Sequence, residues 1–167
     1  RIQAQFNYKI WRHILNSAGI ERFPQYHFDM VRLGIGLHGI SATHANLQPV
    51  SSFKTYISSI RNVPTDQSIG YGRKSYTTRP SRIAVIPVGY ADGLNRHLSN
   101  RVGNVFIKGK RVPIIGNICM DTCMIDVTDT NATIGDEVEI FGKHILVTEL
   151  SEQLGTIPYE ILTGISH

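Results

Sequence analysis

Apolar positions fall along the chain in two textures. In the first forty residues helical and strand-like stretches alternate. Residues 1–8 are polar and weakly helical, and Ile10 to Leu15 predicts a short strand. Ser17 then precedes Ala18-Gly19-Ile20-Glu21-Arg22, a short N-capped turn of helix that Pro24 stops. Met30 to Leu37 predicts a buried strand with Arg32 as its one charge. Strand, short helix, strand is an α/β signature. Ser41 to Pro49 (SATHANLQP) is polar and aperiodic and reads as a linker and domain boundary.

Beyond it the pattern becomes strand-rich. Val50 to Ile60 alternates loosely, and Ile83 to Val88 is dense in β-branched residues. Val102 to Ile107, the turn Lys108-Gly109-Lys110, and Arg111 to Ile115 predict a β-hairpin. Cys123 to Val127 and Glu137 to Phe141 predict further strands. Short strands at short intervals indicate a barrel or sandwich. Near the end Thr148 caps a short helix that Gly155 closes. Thr156 caps a second, with Pro158 in its first turn and Gly164 past its end.

The 167 residues suffice for one domain or one and a fraction. A hydrophobic content of 41% excludes a disordered chain. Seventeen Lys and Arg against thirteen Asp and Glu leave +4, which permits an anionic partner without demanding one. Two cysteines, Cys119 and Cys123, cannot build a disulfide framework and point to a reducing compartment. No apolar run approaches the length of a membrane span, and no signal-peptide layout is present. The chain starts on Arg1 and stops at His167 without a closing element, so it reads as a piece of a longer polypeptide.

Several positions carry candidate chemistry. Gly34-Ile35-Gly36-Leu37-His38-Gly39 matches G-x-G-x-x-G, but no helix follows, so a dinucleotide fold is rejected. Two readings of these glycines stand: backbone N–H groups open to a phosphate, or close packing of a strand on another backbone. Arg32 in an apolar strand needs a partner, either an internal salt bridge or a ligand in a pocket. Tyr71 (in Gly70-Tyr71-Gly72-Arg73) and Tyr90 (in Gly89-Tyr90-Ala91-Asp92-Gly93) are glycine-flanked; each reads as core or rim packing before it reads as catalytic. Cys119 and Cys123 form one C-x3-C pair with neither His97 nor His144 at metal-like spacing, so no metal site is assigned and both read as buried free thiols. His13 reads as a core histidine, and the basic runs Arg96–Arg101 and Lys108–Arg111 as solvated turns.

These pieces together resemble the C-terminal half of the alanine racemase family, pyridoxal-phosphate enzymes that interconvert L- and D-alanine. The resemblance rests on HILNS (13–17), MVRLGIGLHGI (30–40), YGR (71–73), VIPVGYADG (85–93), RHLSN (96–100), RVPIIGNICMD (111–121), GDEV (135–138) and TIPYEILTGIS (156–166), in the family's order and over nearly the whole chain. The wording around GLNRHLSN and NICMDTCMIDVTD is most similar to the Bacteroidetes-type form, in which the racemase can be fused to a cell-wall ligase. The resemblance implies a mostly β, barrel-like C-terminal domain with short terminal helices over residues 47–167. Residues 1–46 would then be the last α/β units of an incomplete (β/α)8 barrel, with Ser17 and Arg32 on its active face.

It also implies roles. Tyr71 matches the catalytic tyrosine, one of two bases on opposite faces of pyridoxal 5'-phosphate, supplied by the partner subunit of a homodimer. His13 matches the histidine that hydrogen-bonds its oxygen. Arg32 matches the arginine facing the pyridine nitrogen, a donor that keeps its proton. Ser17, Gly34, Ile35 and Tyr159 match the phosphate contacts. Met120 matches the residue whose backbone N–H meets the substrate carboxylate, and Asp121 and Tyr90 match the narrow entrance that limits the substrate side chain. The family's cofactor-binding lysine, expected in a V-K-A-N-A-Y-G-like stretch, has no counterpart among Lys9, Lys54, Lys74, Lys108, Lys110 and Lys143. The 167 residues alone are therefore expected to be inactive. The spacing from Tyr71 to Tyr76 is one residue longer than in the common family form, whereas that from Tyr71 to Tyr90 fits.

The implied setting is the bacterial cytoplasm and D-alanine supply for peptidoglycan. Alanine and the missing N-terminal barrel segment are the expected partners, with no nucleic acid and no membrane. Two other readings compete. One is a basic β-barrel module for single-stranded nucleic acid, which needs more surface aromatics than a content of 8% provides. The other is a non-catalytic dimerisation paralogue.

Overall fold

The run from residue 104 to 115 shows how sequence becomes sheet here. Val105, Ile107, Val112 and Ile114 alternate with more exposed positions, and all four are at most 4% exposed. Between them Lys108 and Gly109 both take positive φ (47° and 79°), the pairing that matches the right-handed twist of a two-residue hairpin turn. In the computed structural model, which describes residues 3–43 and 46–166, this hairpin lies at the centre of a seven-stranded antiparallel sheet. Arg1, Ile2, His167, and His44-Ala45 of the expected linker lie outside the described residues.

The strands are β1 (Phe53–Tyr56), β2 (Ser59–Val63), β3 (Ser68–Ile69), β4 (Ser75–Tyr76), β5 (Ser81–Ile86), β6 (Asn104–Ile107), β7 (Lys110–Ile115), β8 (Cys123–Asp126) and β9 (Glu137–Phe141). The large sheet runs β1-β9-β6-β7-β8-β5-β2, and β3 and β4 form a separate two-stranded ribbon. The outermost places belong to β1 and β2, which are joined through Ile57 and Ser58 alone. One bent segment thus pairs with β9 by its first half and β5 by its second, and the sheet curls into a barrel-like form. Ile57, at the bend, is fully buried with Ile86, Ile107, Ile114, Ile118, Ile125 and Val138 in one core. Two helices flank that core, α2 (Val147–Leu154) and α3 (Pro158–Thr163), after α1 (Ser17–Arg22) near the start of the chain.

The chain divides into two compact units, residues 1–51 and 52–167. In the second the hairpin, the strand at 123–126 and the strand at 137–141 follow the sequence pattern. The caps differ. Leu146 and Ile157 precede α2 and α3, neither helix has a side-chain cap, and Thr148 lies inside α2. The Thr156 hydroxyl instead donates to the carboxylate of Glu160. β7 ends at Ile115, where Gly116 turns to φ 73°.

The first unit departs further. Residues 10–15 and 30–34 do not form strands. They run side by side: the Arg12 carbonyl accepts from the N–H groups of Asp29 and Met30, and the Leu15 carbonyl from that of Arg32. Beyond Gly34 the chain winds into a 3-10 turn, Ile35–His38. Burial fails as well, since Arg32 is exposed and Met30, Leu33 and Leu37 are 46%, 51% and 63% exposed. A buried strand needs cover on both faces. Among the described residues of this unit, only Leu15, Ser17 and Ile35 are buried, too few for a second layer. Asn16, rather than Ser17, caps α1, its Oδ1 accepting from the Gly19 N–H at 3.0 Å.

One buried carboxylate organises the far side of the barrel. Glu139 on β9 is 6% exposed and accepts from the N–H groups of His144 (2.6 Å) and Ile145 (3.2 Å) and from His144 Nδ1 (3.0 Å). The His144 ring stacks on Phe106 at 3.8 Å between centroids. Burial alone would raise the Glu139 carboxyl, but the bonds from His144 and Ile145 outweigh it and hold it below its ordinary value. A lowered pKa means stabilisation that is full above the unfolded value and lost as pH falls through the folded one. Glu139→Gln is expected to cost about 2 kcal/mol at pH 7. In urea melts of the two proteins that difference should shrink as pH drops below about 4.5; a difference independent of pH would refute it.

Candidate functional site

The second unit holds a cleft of about 600 Å³ lined by Tyr71, Tyr90, Arg96, Asn117 and the run Ile118 to Thr122. Its floor follows β7, where the chain leaves the sheet at Gly116 and returns into β8 at Cys123. The Cys119 N–H donates to the Thr122 carbonyl at 2.9 Å, closing a tight loop that presents Met120 and Asp121. Met120 is 54% exposed, and among the described residues its N–H meets no acceptor, whereas its carbonyl accepts from Ala91.

Tyr90 reaches the cleft because two backbones touch. Its N–H donates to the Cys119 carbonyl at 3.0 Å, and the Ala91 N–H to that of Met120 at 3.0 Å. Gly89 makes this approach possible: a Cβ there would lie 2.2 Å from the Met120 oxygen and 2.3 Å from that of Cys119. Asp92 closes the turn, its Oδ2 accepting from the Gly89 N–H at 2.8 Å. Tyr71 heads a 3-10 turn at the tip of the β3–β4 ribbon, with Gly70 and Gly72 at φ 74° and 76°, and its side chain is 77% exposed. Both tyrosines lie in turns and face solvent, so neither is the core or rim tyrosine that strand-like flanks suggest.

Cys119 and Cys123 behave differently from a buried pair. Cys123 is buried, and desolvation followed by its proximity to Cys119 pushes its thiol up to about 12. Cys119 is half-buried and lines the cleft.

The first unit gathers a second group. Ser17 is 2% exposed, and its Oγ accepts the N–H groups of Gly34 at 2.9 Å and Gly36 at 3.1 Å. With two acceptors engaged, the hydroxyl keeps one proton to donate. A Cβ on Gly36 would lie 3.0 Å from Leu33 Cδ1 and 3.5 Å from Ser17 Oγ, crowding this cluster. Arg32 donates from Nη2 to the Ile14 carbonyl at 3.2 Å, and no carboxylate pairs with it among the described residues. Of the two readings of Arg32, the internal salt bridge is not found among the described residues, and Arg32 is exposed. His13 is exposed too, not a core histidine.

The structure thus brings Tyr71, Tyr90, Met120 and Asp121 to one cleft, and Ser17, Gly34 and Ile35 to one stretch beside Arg32. Tyr159 lies on α3 and does not line the cleft. Five lining residues, Arg96, Asn117, Ile118, Cys119 and Thr122, have no assigned role in the sequence reading. For Asn117, Ile118 and Cys119 the signal was their membership in the unbroken run NICMD.

Comparison with known proteins identifies the family. A family model for the alanine racemase C-terminal domain matches residues 50–167, and one for the N-terminal domain matches residues 1–42. Alanine racemase 2 of Caldanaerobacter subterraneus subsp. tengcongensis is 47% identical over 93% of the chain and 42% of its own length. The alanine racemase of Methanococcus maripaludis is 44% identical over 93% of the chain and 44% of its own. The crystal structure of alanine racemase from Bartonella henselae, with covalently bound pyridoxal phosphate, superposes with a TM-score of 0.88 at 35% identity, over 96% of this chain and 46% of that one. The chain spans less than half the length of these relatives. No helix among the described residues is long and apolar enough to cross a membrane. With its C-terminal model covering the whole β unit and the cleft motifs in order, the chain belongs to the alanine racemase family.

Proposed function

We propose that these residues are the C-terminal part of a pyridoxal-phosphate-dependent alanine racemase that interconverts L- and D-alanine by a two-base mechanism. In this reading residues 1–46 end a (β/α)8 barrel and 47–167 form the β domain. A homodimer shares its active sites between subunits, and the product supplies cytoplasmic D-alanine for peptidoglycan. The observation that carries the reading is the cleft that joins Tyr71, Tyr90, Met120 and Asp121.

The residues of the first unit suit a phosphorylated cofactor. Ser17 Oγ is held by the N–H groups of Gly34 and Gly36, which leaves the hydroxyl proton to be donated, and no carboxylate lies among these residues. A hydroxyl donor away from carboxylates suits a phosphate. Ser17, Gly34, Ile35 and Tyr159 would hold that group, and Arg32 would meet the pyridine nitrogen as a donor that does not release its proton. When bound, pyridoxal phosphate supplies an electron sink for the carbon whose configuration inverts.

The chain's own residues would do the rest. The Met120 N–H, without an acceptor among the described residues, would take the substrate carboxylate. Asp121 and Tyr90 would narrow the entrance, so that a methyl side chain passes more readily than a larger one. The Tyr71 phenolic oxygen would accept the α-proton from one face of the substrate or return it there. Inversion needs a second base on the opposite face, the lysine that also binds the cofactor.

The test is racemisation of alanine in both directions by a parent-length polypeptide and by the 167 residues alone. The parent-length protein should turn over both enantiomers and the 167 residues neither. Failure of the first would sink the functional reading, and turnover by the second would show that the lysine is not needed.

A further inference from the structure

A directed chain of hydrogen bonds runs beneath the Tyr71 turn. The Gly116 N–H donates to Ser75 Oγ at 3.2 Å, and the Ser75 hydroxyl donates to Asn100 Oδ1 at 2.8 Å. Asn100 Nδ2 donates to Asn117 Oδ1 at 3.0 Å, and Asn117 Nδ2 to the Tyr71 carbonyl at 2.7 Å. A backbone donor and a backbone acceptor stand at its two ends, and they fix every bond between. Flipping the Asn117 amide would set its oxygen against the Tyr71 carbonyl. Flipping Asn100 would set its oxygen against that of Asn117.

The surrounding backbone is shaped for this path. Asn100 adopts φ 56°, a left-handed conformation that asparagine tolerates, and its N–H donates to the Gly116 carbonyl at 2.9 Å. The Tyr71 turn has little else to hold it. β3 and β4 contribute two residues each, and Gly70, Gly72 and Arg73 all have positive φ. Asn117 fills the space below, with its Nδ2 3.7 Å from where a Gly72 Cβ would be and its N 3.5 Å from that of Gly70.

We propose that Asn117 is a positioning residue for Tyr71. Through the turn carbonyl it sets where the phenol stands over the cleft, while Asn100 and Ser75 orient its amide. The proposal rests on Tyr71 being the reacting base of the proposed racemase. It makes part of the cleft floor a brace for the opposite wall.

Asn117→Asp is the sharpest probe: it keeps the acceptor toward Asn100 and removes the donor toward Tyr71. In the parent-length enzyme it should lower kcat by about 10–100-fold, as misplacing a reacting group by about 1 Å does, with KM changed less than about threefold. On a Tyr71→Phe background it should change the rate by less than about twofold, because the two residues act as one unit. In the 167-residue chain, amide exchange at Gly72 and Arg73 should quicken. Should Asn117→Asp fail to fold, Ser75→Ala removes the far end of the relay and should show a smaller loss with the same non-additivity. A loss of equal size in both backgrounds would assign Asn117 a merely structural role and overturn the proposal. So would a wild-type rate in Asn117→Asp beside a severe Tyr71→Phe defect, with the functional reading left standing. An unimpaired Tyr71→Phe enzyme would overturn both.

Discussion

Parent-length enzyme carrying Tyr71→Phe is expected to retain pyridoxal phosphate and lose alanine racemisation in both directions by about 10²–10⁴-fold, the range a positioned acid–base group contributes. The substitution removes one oxygen and leaves the ring. The ring is 77% exposed and the turn is held by its backbone, so folding should hardly change. The loss should therefore appear in kcat at unchanged cofactor occupancy, read from the cofactor's absorbance. Both directions must suffer, because the base that takes the proton in one direction returns it in the other. If activity is barely altered, the role passes to another phenol. Tyr90 lines the same cleft, whereas Tyr76 on β4 does not.

Gly89→Ala should be a severely damaging small substitution in the β unit. Gly89 has an extended backbone (φ −144°), so the issue is not conformational freedom but space. The added methyl would stand 2.2–2.4 Å from Met120 and Cys119 backbone atoms, which no flexible side chain can yield. Relief requires the 89–91 segment to part from the cleft floor, with loss of both bonds that join them. Overpacking of about 1–3 kcal/mol plus about 1 kcal/mol for each lost bond gives a destabilisation of about 3 kcal/mol or more. A denaturant midpoint within experimental error of wild type would show that the floor can shift freely. In parent-length enzyme the same displacement of Tyr90 and Met120 should reduce kcat by about 100-fold.

The β unit was legible because Val and Ile recur at every second place: Val105 and Ile107, Val112 and Ile114, and Val138 and Ile140 are all buried. The helix starts were not: Thr148 and Thr156 look like caps, but Thr148 lies inside α2 and the Thr156 hydroxyl donates to Glu160. The first unit misled for a different reason. Ile10–Leu15 and Met30–Leu37 are apolar enough for buried strands, yet apolarity specifies a partner rather than supplying one, and Gly34 breaks the run. For the site, the unbroken motif NICMD located the floor and YGR the opposite wall. The amide of Asn117 was invisible as a brace, because its partner is a backbone carbonyl 46 residues away, and backbone carbonyls carry no sequence signature.

The bent segment that closes the barrel sets a timetable for synthesis. Lys54 on β1 pairs with Glu137 on β9, 83 residues later, with the ion pair at 2.8 Å. At about 5–20 residues per second a ribosome needs roughly 4–16 s to cover that distance. Throughout that interval β1 has emerged without β9, and the core that Ile57 seals cannot close. The nascent chain meets the cell as an open sheet whose first strand waits for its last.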